Sequence, residues 1–478
     1  MRLRFFSLIL LVALAGCHPK TEEAAMPRHF LFISIDTLRA DHLGHYGYVR
    51  DTSPQLDDLA SRSVVFERAI AQWPKTGTSF ASMFTGQYPQ TTGLTHRAAL
   101  RIPDNYMTLP ELLQRGGFTN VAVVSNGVLG KRLGWDAGFI EYEETWAYGP
   151  DSEDPVEYRK GISANMVNRL ALPLLERHKD AERVFAWIHY SDPHAPYLLP
   201  EGEENPFVGD EFYTEDSTVD LTDNKAAILG ERRDLKHYVA AYDANIRYMD
   251  RKIGELLAHA DALGLLEDAL VVVTADHGES LGEHDYYFSH GRMPYNNGVH
   301  VPLLISYPPA LQASRVAQPV ELVDLFPTLS EWLVPELPPV PGLEGASLRP
   351  FLHGEDLLTE DGKPVDDGLA FSQAGGGSPK THFRTVQDDD WKLIFHPRMQ
   401  LRQREIPARW ELYHLDEDPD EERNLATGEE LPNEARRLHR ELQEWMKGSD
   451  WIERSREEMD AQSEETRRIL KALGYIDE

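Results

Sequence analysis

Cysteine is almost absent from this chain of 478 residues: Cys17 stands alone, so no disulfide can form within it. The folded body therefore carries no thiolate metal site and no cysteine nucleophile. Positive charge is also scarce. Lys and Arg number 48 against 79 Asp and Glu, a formal charge of −31. That argues against a nucleic-acid partner, because displacing the counterions of a phosphate backbone needs a basic surface. After residue 17 no apolar run is long enough to cross a bilayer. Gly and Pro are not in excess and 41% of the residues are apolar, a globular composition. The length suits one large domain and a smaller one.

At the N-terminus, Arg2 and Arg4 precede a short apolar run, Phe5 to Leu14, that ends in Leu14-Ala15-Gly16-Cys17. The run is too short to span a bilayer comfortably. Small residues before a cysteine at this offset resemble the lipobox of bacterial lipoproteins. The resemblance implies a signal peptide over residues 1–17, lipidation of Cys17 and a polar tether over 18–28, with the protein anchored to a membrane at the bacterial cell envelope. An ordinary signal peptide or an early start codon are the alternatives. His18 in place of Asp after Cys17 points to the outer membrane, by analogy with lipoprotein sorting.

Short, nearly continuous apolar runs predict strands at Phe30–Ile35, Val121–Ser125, Val184–Ile188, Leu270–Thr274 and Leu303–Ser306, each covered on both faces. Amphipathic stretches lie between them; the clearest runs from Asp234 to His259. Strands alternating with helices predict an α/β domain, residues 29–354, with a mainly parallel central sheet. Four of the runs lead into polar residues: Asp36; Asn126; His189, Asp192 and His194; and Asp276 with His277. In open parallel sheets the ligand crevice lies at the carboxyl ends of the strands, so these residues predict a site. A smaller C-terminal subdomain, residues 368–450, is expected to hold a short antiparallel sheet, with Phe383–Val386 and Trp391–Phe395 as strands, and a helix near 432–447. A charged helical tail is expected over 451–478, and the acidic run 416–422 as a solvated loop.

The segment Ile33-Ser-Ile-Asp36-Thr-Leu-Arg-Ala-Asp-His-Leu-Gly-His-Tyr-Gly47 resembles the sulfatase family of the alkaline phosphatase superfamily. So do Trp73-Pro-Lys-Thr76-Gly-Thr-Ser-Phe-Ala-Ser-Met-Phe-Thr-Gly86, His189-Tyr-Ser-Asp-Pro-His194-Ala-Pro-Tyr197, Thr274-Ala-Asp276-His277-Gly-Glu-Ser-Leu-Gly-Glu-His284, and the stretch from Glu411 to Leu425. Their order and spacing carry the assignment over nearly the whole mature chain. The resemblance implies an alkaline-phosphatase-like fold, with Asp36, Asp276 and His277 as ligands of one divalent metal, Ca, Mg, Mn or Zn. A second metal, held by His194 and His290, stays open. Thr76 occupies the nucleophile position and is expected to contact the metal as well.

Two departures stand out. Typical sulfatases carry Cys or Ser where this chain has Thr76, in the pattern Cys-x-Pro-x-Arg whose arginine is Phe80 here, and oxidise the first residue to formylglycine. Oxidising a secondary alcohol gives a ketone, so no formylglycine is expected. Threonine here resembles instead the phosphoethanolamine and phosphoglycerol transferase branch, in which it attacks phosphorus itself. Metal coordination would make its hydroxyl usable at neutral pH, and a helix beginning near Thr78 and Ser79 would offer N–H groups to the transferred anion.

His194 and His290 are the candidates for proton transfer, and Lys75, Asn126 and Arg292 for substrate contact. His189, Asp192 and His284 are expected to support the site, and Asp324 to be structural. The leading expectation is a metal-dependent hydrolase or transferase of phosphate or sulfate esters, on a lipid head group or a glycan. A sulfatase without formylglycine, or an inactive anion-binding surface lipoprotein, are the alternatives.

Overall fold

The computed structural model describes residues 26–95, 101–150, 155–210, 219, 229, 234–353, 368–376, 379–401, 404–427 and 431–447. The expected signal peptide with Cys17, most of the expected tether and the expected helical tail lie outside the described residues.

Sixteen strands among the described residues are numbered in chain order. The α/β domain contributes β1 (His29–Ile35), β2 (Val64–Ile70), β3 (Thr119–Val124), β4 (Glu141–Glu144), β5 (Val184–Tyr190), β6 (Ala269–Ala275), β7 (Ser280–Leu281), β8 (Tyr287–Ser289), β9 (His300–Ser306) and β10 (Ser314–Glu321). The C-terminal subdomain adds β11 (Ala370–Ala374), β12 (Phe383–Gln387), β13 (Trp391–His396), β14 (Met399–Leu401), β15 (Arg404–Ile406) and β16 (Arg409–His414).

Eight of these form the central sheet in the order β10-β2-β9-β6-β1-β5-β3-β4. The expected α/β fold with a mainly parallel sheet is present, and β9 alone in this sheet runs against its neighbours. All seven residues of β1, of β5 and of β6 are buried, as their unbroken apolar runs require of strands covered on both faces. The four strands expected to carry the site, β6, β1, β5 and β3, are contiguous and parallel. Their carboxyl ends therefore meet at one edge. Sequence reading missed β2, β4 and β10. Charged residues interrupt each of them, Glu67 and Arg68 in β2 for example.

The long helix is Leu235–Ala262, one residue after its expected start, with the Asp234 side chain accepting the Lys236 N–H at 3.1 Å as its cap. It packs on the Ala164–His178 helix and on Pro54–Ala60. No helix among the described residues is long and apolar enough to cross a membrane.

The small subdomain is a four-stranded antiparallel sheet, β11-β12-β13-β16, with the Asn433–Lys447 helix on one face through Leu438 and Leu442. Asp324 is structural, as expected: it caps the turn after β10, accepting the Glu321 and Ala346 N–H groups. The acidic run 416–422 differs from expectation at one position. Glu421 is buried and ion-paired with Lys392 at 2.8 Å, because the loop folds back between β13 and the stretch before β9, where Glu421 also accepts the Asn296 N–H.

Candidate active site

Asp36 and Asp276 stand one residue beyond the ends of β1 and β6, and the sheet fixes them. The Asp36 N–H donates to the Tyr190 carbonyl at 2.8 Å, and the Asp276 N–H to the Ile35 carbonyl at 3.3 Å, so the ladder continues into the site. Next in the chain, Thr37 takes a left-handed backbone, φ 58°. A β-branched residue adopts that conformation at a cost of about 1–3 kcal/mol. The Tyr242 hydroxyl holds it by donating to the Thr37 carbonyl at 2.7 Å, and the Thr37 N–H donates to Asp276 at 3.2 Å. No sequence signal announces this turn.

Asp36, Asp276 and His277 converge, with one ligand atom from each within 4.8 Å of the others, and all are buried. His277 Nε2 lies 3.7 Å from Asp36 and 3.6 Å from Asp276. Its Nδ1 faces the Gly278 carbonyl at 2.8 Å, which fixes the ring with Nε2 turned inward. Asp36 Oδ1 and Asp276 Oδ2 are buried with no hydrogen-bond partner. Burial, and then the charge of Asp36, push Asp276 far above the usual carboxylate range. Burial also lifts Asp36, but the surrounding imidazoles of His194 and His277 outweigh it and hold it below its ordinary value. Two orphaned carboxylate oxygens and one imidazole nitrogen, all buried in one corner, fit a divalent cation.

Thr76 is the first residue of the Thr76–Thr85 helix, two residues earlier than expected. Its Oγ1 lies 3.3 Å from His277 Nε2, within the same corner. The first-turn N–H groups of this helix have no acceptor inside it, so the helix directs donors at whatever anion Thr76 meets. Lys75 precedes the helix. Burial, and then the Arg292 charge, pull its ammonium down to about 8. Gly291, at φ 90°, sits directly against it: a Cβ there would come within 2.4 Å of Lys75 Cε. Arg292 itself is exposed at the rim.

Phe80, one turn into the helix, is fully buried. Its ring packs on Trp187 at 5.1 Å and, edge-on, on His189 at 5.3 Å. An aromatic cluster thus fills the place where the family's arginine would stand.

His194 and His290 meet beside His277. The ring centroids of His290 and His277 are 4.4 Å apart, and those of His290 and His194 are 5.2 Å apart. Glu279, which sequence reading passed over, is buried, and one of its carboxylate oxygens lies 3.1 Å from His290 Nδ1. Its position two residues after His277 was the available signal.

Asn126 does not face outward to a substrate. Its Nδ2 donates to Asp36 at 2.6 Å and its Oδ1 accepts the Val128 N–H at 3.0 Å, which makes it a prop for Asp36. His189 shares a hydrogen bond with Ser34 at 3.0 Å, and burial pulls its pKa down to about 4, so it is neutral. Asp192 caps the Ala164–His178 helix at 3.0 Å. Beside it the buried Arg159 donates to the carbonyls of Ser191 and Asp192 and so steadies the turn that carries His194. His284 lies apart, stacked on Tyr295 at 3.5 Å.

Comparison with known proteins agrees with this geometry. The family described as Sulfatase matches residues 28–334, and that described as N-sulphoglucosamine sulphohydrolase, C-terminal, matches 282–448. An N-acetylglucosamine-6-O-sulfatase of Bacteroides thetaiotaomicron is 24% identical over 513 residues, covering 91% of this chain and 89% of its own. Human N-sulphoglucosamine sulphohydrolase is 25% identical, covering 88% of this chain and 90% of its own. In fold, the chain is similar to a phosphonate monoester hydrolase of Silicibacter pomeroyi, with a TM-score of 0.68 at 22% identity over 89% of this chain and 96% of that one. The match over most of the chain, with the strand-end acids and the Asp-His pair in one corner, leaves a single conclusion: this protein belongs to the sulfatase family and is a sulfatase-like ester hydrolase.

Proposed function

We propose that the protein cleaves anionic monoesters with Thr76 itself as nucleophile, and that it prefers phosphoryl or phosphonyl esters to sulfate esters. The observation that carries this reading is Thr76 Oγ1 lying 3.3 Å from His277 Nε2, at the mouth of the Asp36–Asp276 corner. A divalent cation held by Asp36, Asp276 and His277 would supply the positive field that lowers the hydroxyl's pKa.

The ionised Thr76 oxygen forms a bond to phosphorus as the bond to the ester oxygen breaks. His290, oriented by Glu279, gives the departing alkoxide its proton, and His194 lies close enough to share that task. Lys75, Arg292 and the first turn of the Thr76–Thr85 helix hold the anion's outer oxygens. Water then displaces Thr76 from phosphorus. The preference for phosphorus rests on Thr76 itself: no formylglycine can form there, and a threonine at this position resembles the transferase branch that attacks phosphorus. The names of the relatives favour a second reading, hydrolysis of sulfated sugars.

Matched aryl phosphate, phosphonate and sulfate esters, assayed with added Ca, Mg, Mn or Zn, separate the two readings. A marked preference for the sulfate would overturn the ranking. Acid quenching during turnover is expected to leave the transferred group on the peptide containing Thr76. A transferase outcome would appear as product formed on an added alcohol.

We also propose that the enzyme is exported and lipid-anchored through Cys17, most readily at the outer membrane, where a lipid head group or glycan ester would be within reach. This rests on the N-terminal sequence alone. Mass spectrometry of the mature N-terminus tests it: an unmodified residue 17 would refute the anchor.

A further inference from the structure

The small sheet uses its two faces differently. One face carries the Asn433–Lys447 helix. The other lies against the catalytic domain, where it meets the short stretch between His290 and β9. Met293 and Tyr295 pack on Ile394 and Tyr413. The Tyr295 hydroxyl donates to Glu411 at 2.8 Å. Lys392, fully buried, donates to Asn296 Oδ1 at 2.8 Å and pairs with Glu421 at 2.8 Å. Glu421 accepts the Asn296 backbone N–H at 2.6 Å. At the other end of the stretch, the Gly375 N–H donates to the Gly291 carbonyl at 2.9 Å. Both ends of residues 291–296 are thus tied to the small subdomain.

This is a costly way to join two surfaces. Lys392 and Glu421 are 0% and 2% exposed, and a buried ion pair adds little adhesion over a pair of apolar side chains of similar volume. Glu421 also takes a left-handed backbone, φ 55°, which a non-glycine residue adopts reluctantly. What the arrangement supplies is direction. Charge-assisted bonds to both the side chain and the backbone of Asn296 define one placement of that residue. The stretch so placed carries Arg292, follows His290, and presses Gly291 against Lys75.

We propose that Lys392, Glu421 and Asn296 form a buried latch by which the small subdomain positions His290 and Arg292 for the reaction. The latch residues are positioning residues and touch no reacting atom. The proposal rests on the reading of His290 given above, and the test separates the two.

In the full-length enzyme, Lys392→Met is compared with Leu438→Ala, which weakens the opposite face of the same sheet. Turnover of an aryl phosphate is measured per folded molecule, and amide exchange is followed in the peptides covering 288–299. Lys392→Met is expected to lower kcat by roughly tenfold or more and to raise exchange in those peptides selectively, while Leu438→Ala does neither at a matched melting temperature. On a His290→Ala background the Lys392→Met loss is expected to shrink to about threefold or less, because both act through one group. Unchanged exchange in 288–299, or full additivity of the two losses, overturns the latch. If His290→Ala alone turns over normally, the role given to His290 falls, and the exchange data still decide whether the latch holds the stretch. Should Lys392→Met fail to fold, Glu421→Gln and Asn296→Ala give the same readings.

Discussion

Asp36 and Asp276 are held by a sheet, whereas Thr76 is held by a helix. The acids follow adjacent strands whose ladder reaches their own N–H groups, so neither can shift without breaking hydrogen bonds of the central sheet. Thr76 opens a helix whose first turn has no ladder behind it, and its neighbourhood is set by side chains. Here the chain keeps the family's residues on the sheet side, with Asp36, Asp276 and His277 in place. On the helix side it departs from them at 76 and 80. A change at either acid would disturb the strand ends that hold it. Thr76 and Phe80 depart from the pattern at the helix start, and the Asp36–Asp276–His277 corner is intact beside them.

This contrast can be broken most directly at Thr76. Thr76→Ala is expected to lower kcat by about a thousandfold or more, with the melting temperature within a few degrees of wild type. Single-turnover kinetics beside calorimetry measure both, and near-normal turnover would remove threonine from the reaction. Asp276→Asn attacks the other side. It is expected to cost roughly a hundredfold in turnover and to weaken metal binding in equilibrium dialysis, since one orphaned carboxylate is neutralised.

Phe80→Arg asks whether the helix side can be returned to the family pattern. It is expected to destabilise the fold by roughly 3–5 kcal/mol, because the guanidinium would enter an aromatic cluster with no partner, and to gain no sulfate turnover. Denaturant unfolding and an aryl sulfate assay check it. Glu279→Gln should lower kcat by roughly tenfold with KM little changed, as expected of a group that orients His290.

The smallest effect concerns pH. The Lys75 ammonium titrates near 8, below an ordinary lysine. It is charged below that pH and loses its charge as pH rises through it, so kcat/KM should fall on the alkaline side. Lys75→Arg, which stays charged, should move that limb upward. A limb that does not move would remove Lys75 from anion binding.

Much of the fold was legible because the central strands are covered on both faces and read as unbroken apolar runs. The Asp36–Asp276–His277 corner was legible because its acids stand at strand ends. β2 and β10 were not, since charged residues lie within them. The left-handed turn at Thr37 depends on Tyr242, some two hundred residues away in the chain. The burial of Glu421 depends on Lys392 and Asn296 arriving from separate elements. Contacts of that kind leave no periodic trace. Glu279 was readable in principle, next to the Asp-His pair, but nothing in the sequence alone marked it as the partner of His290.

Because β9 runs antiparallel to β6, the chain leaves the sheet after Ala275 and re-enters at His300 along the same rim. Everything between, including His277, Glu279, His290 and Arg292, forms one excursion that starts and finishes at the same edge of the sheet. Only its outer part, between Glu279 and His290, lies away from both the Asp36–Asp276–His277 corner and the ties to the small subdomain. A change of length there would leave the register of the sheet untouched, and those two residues mark the places where an engineer would cut.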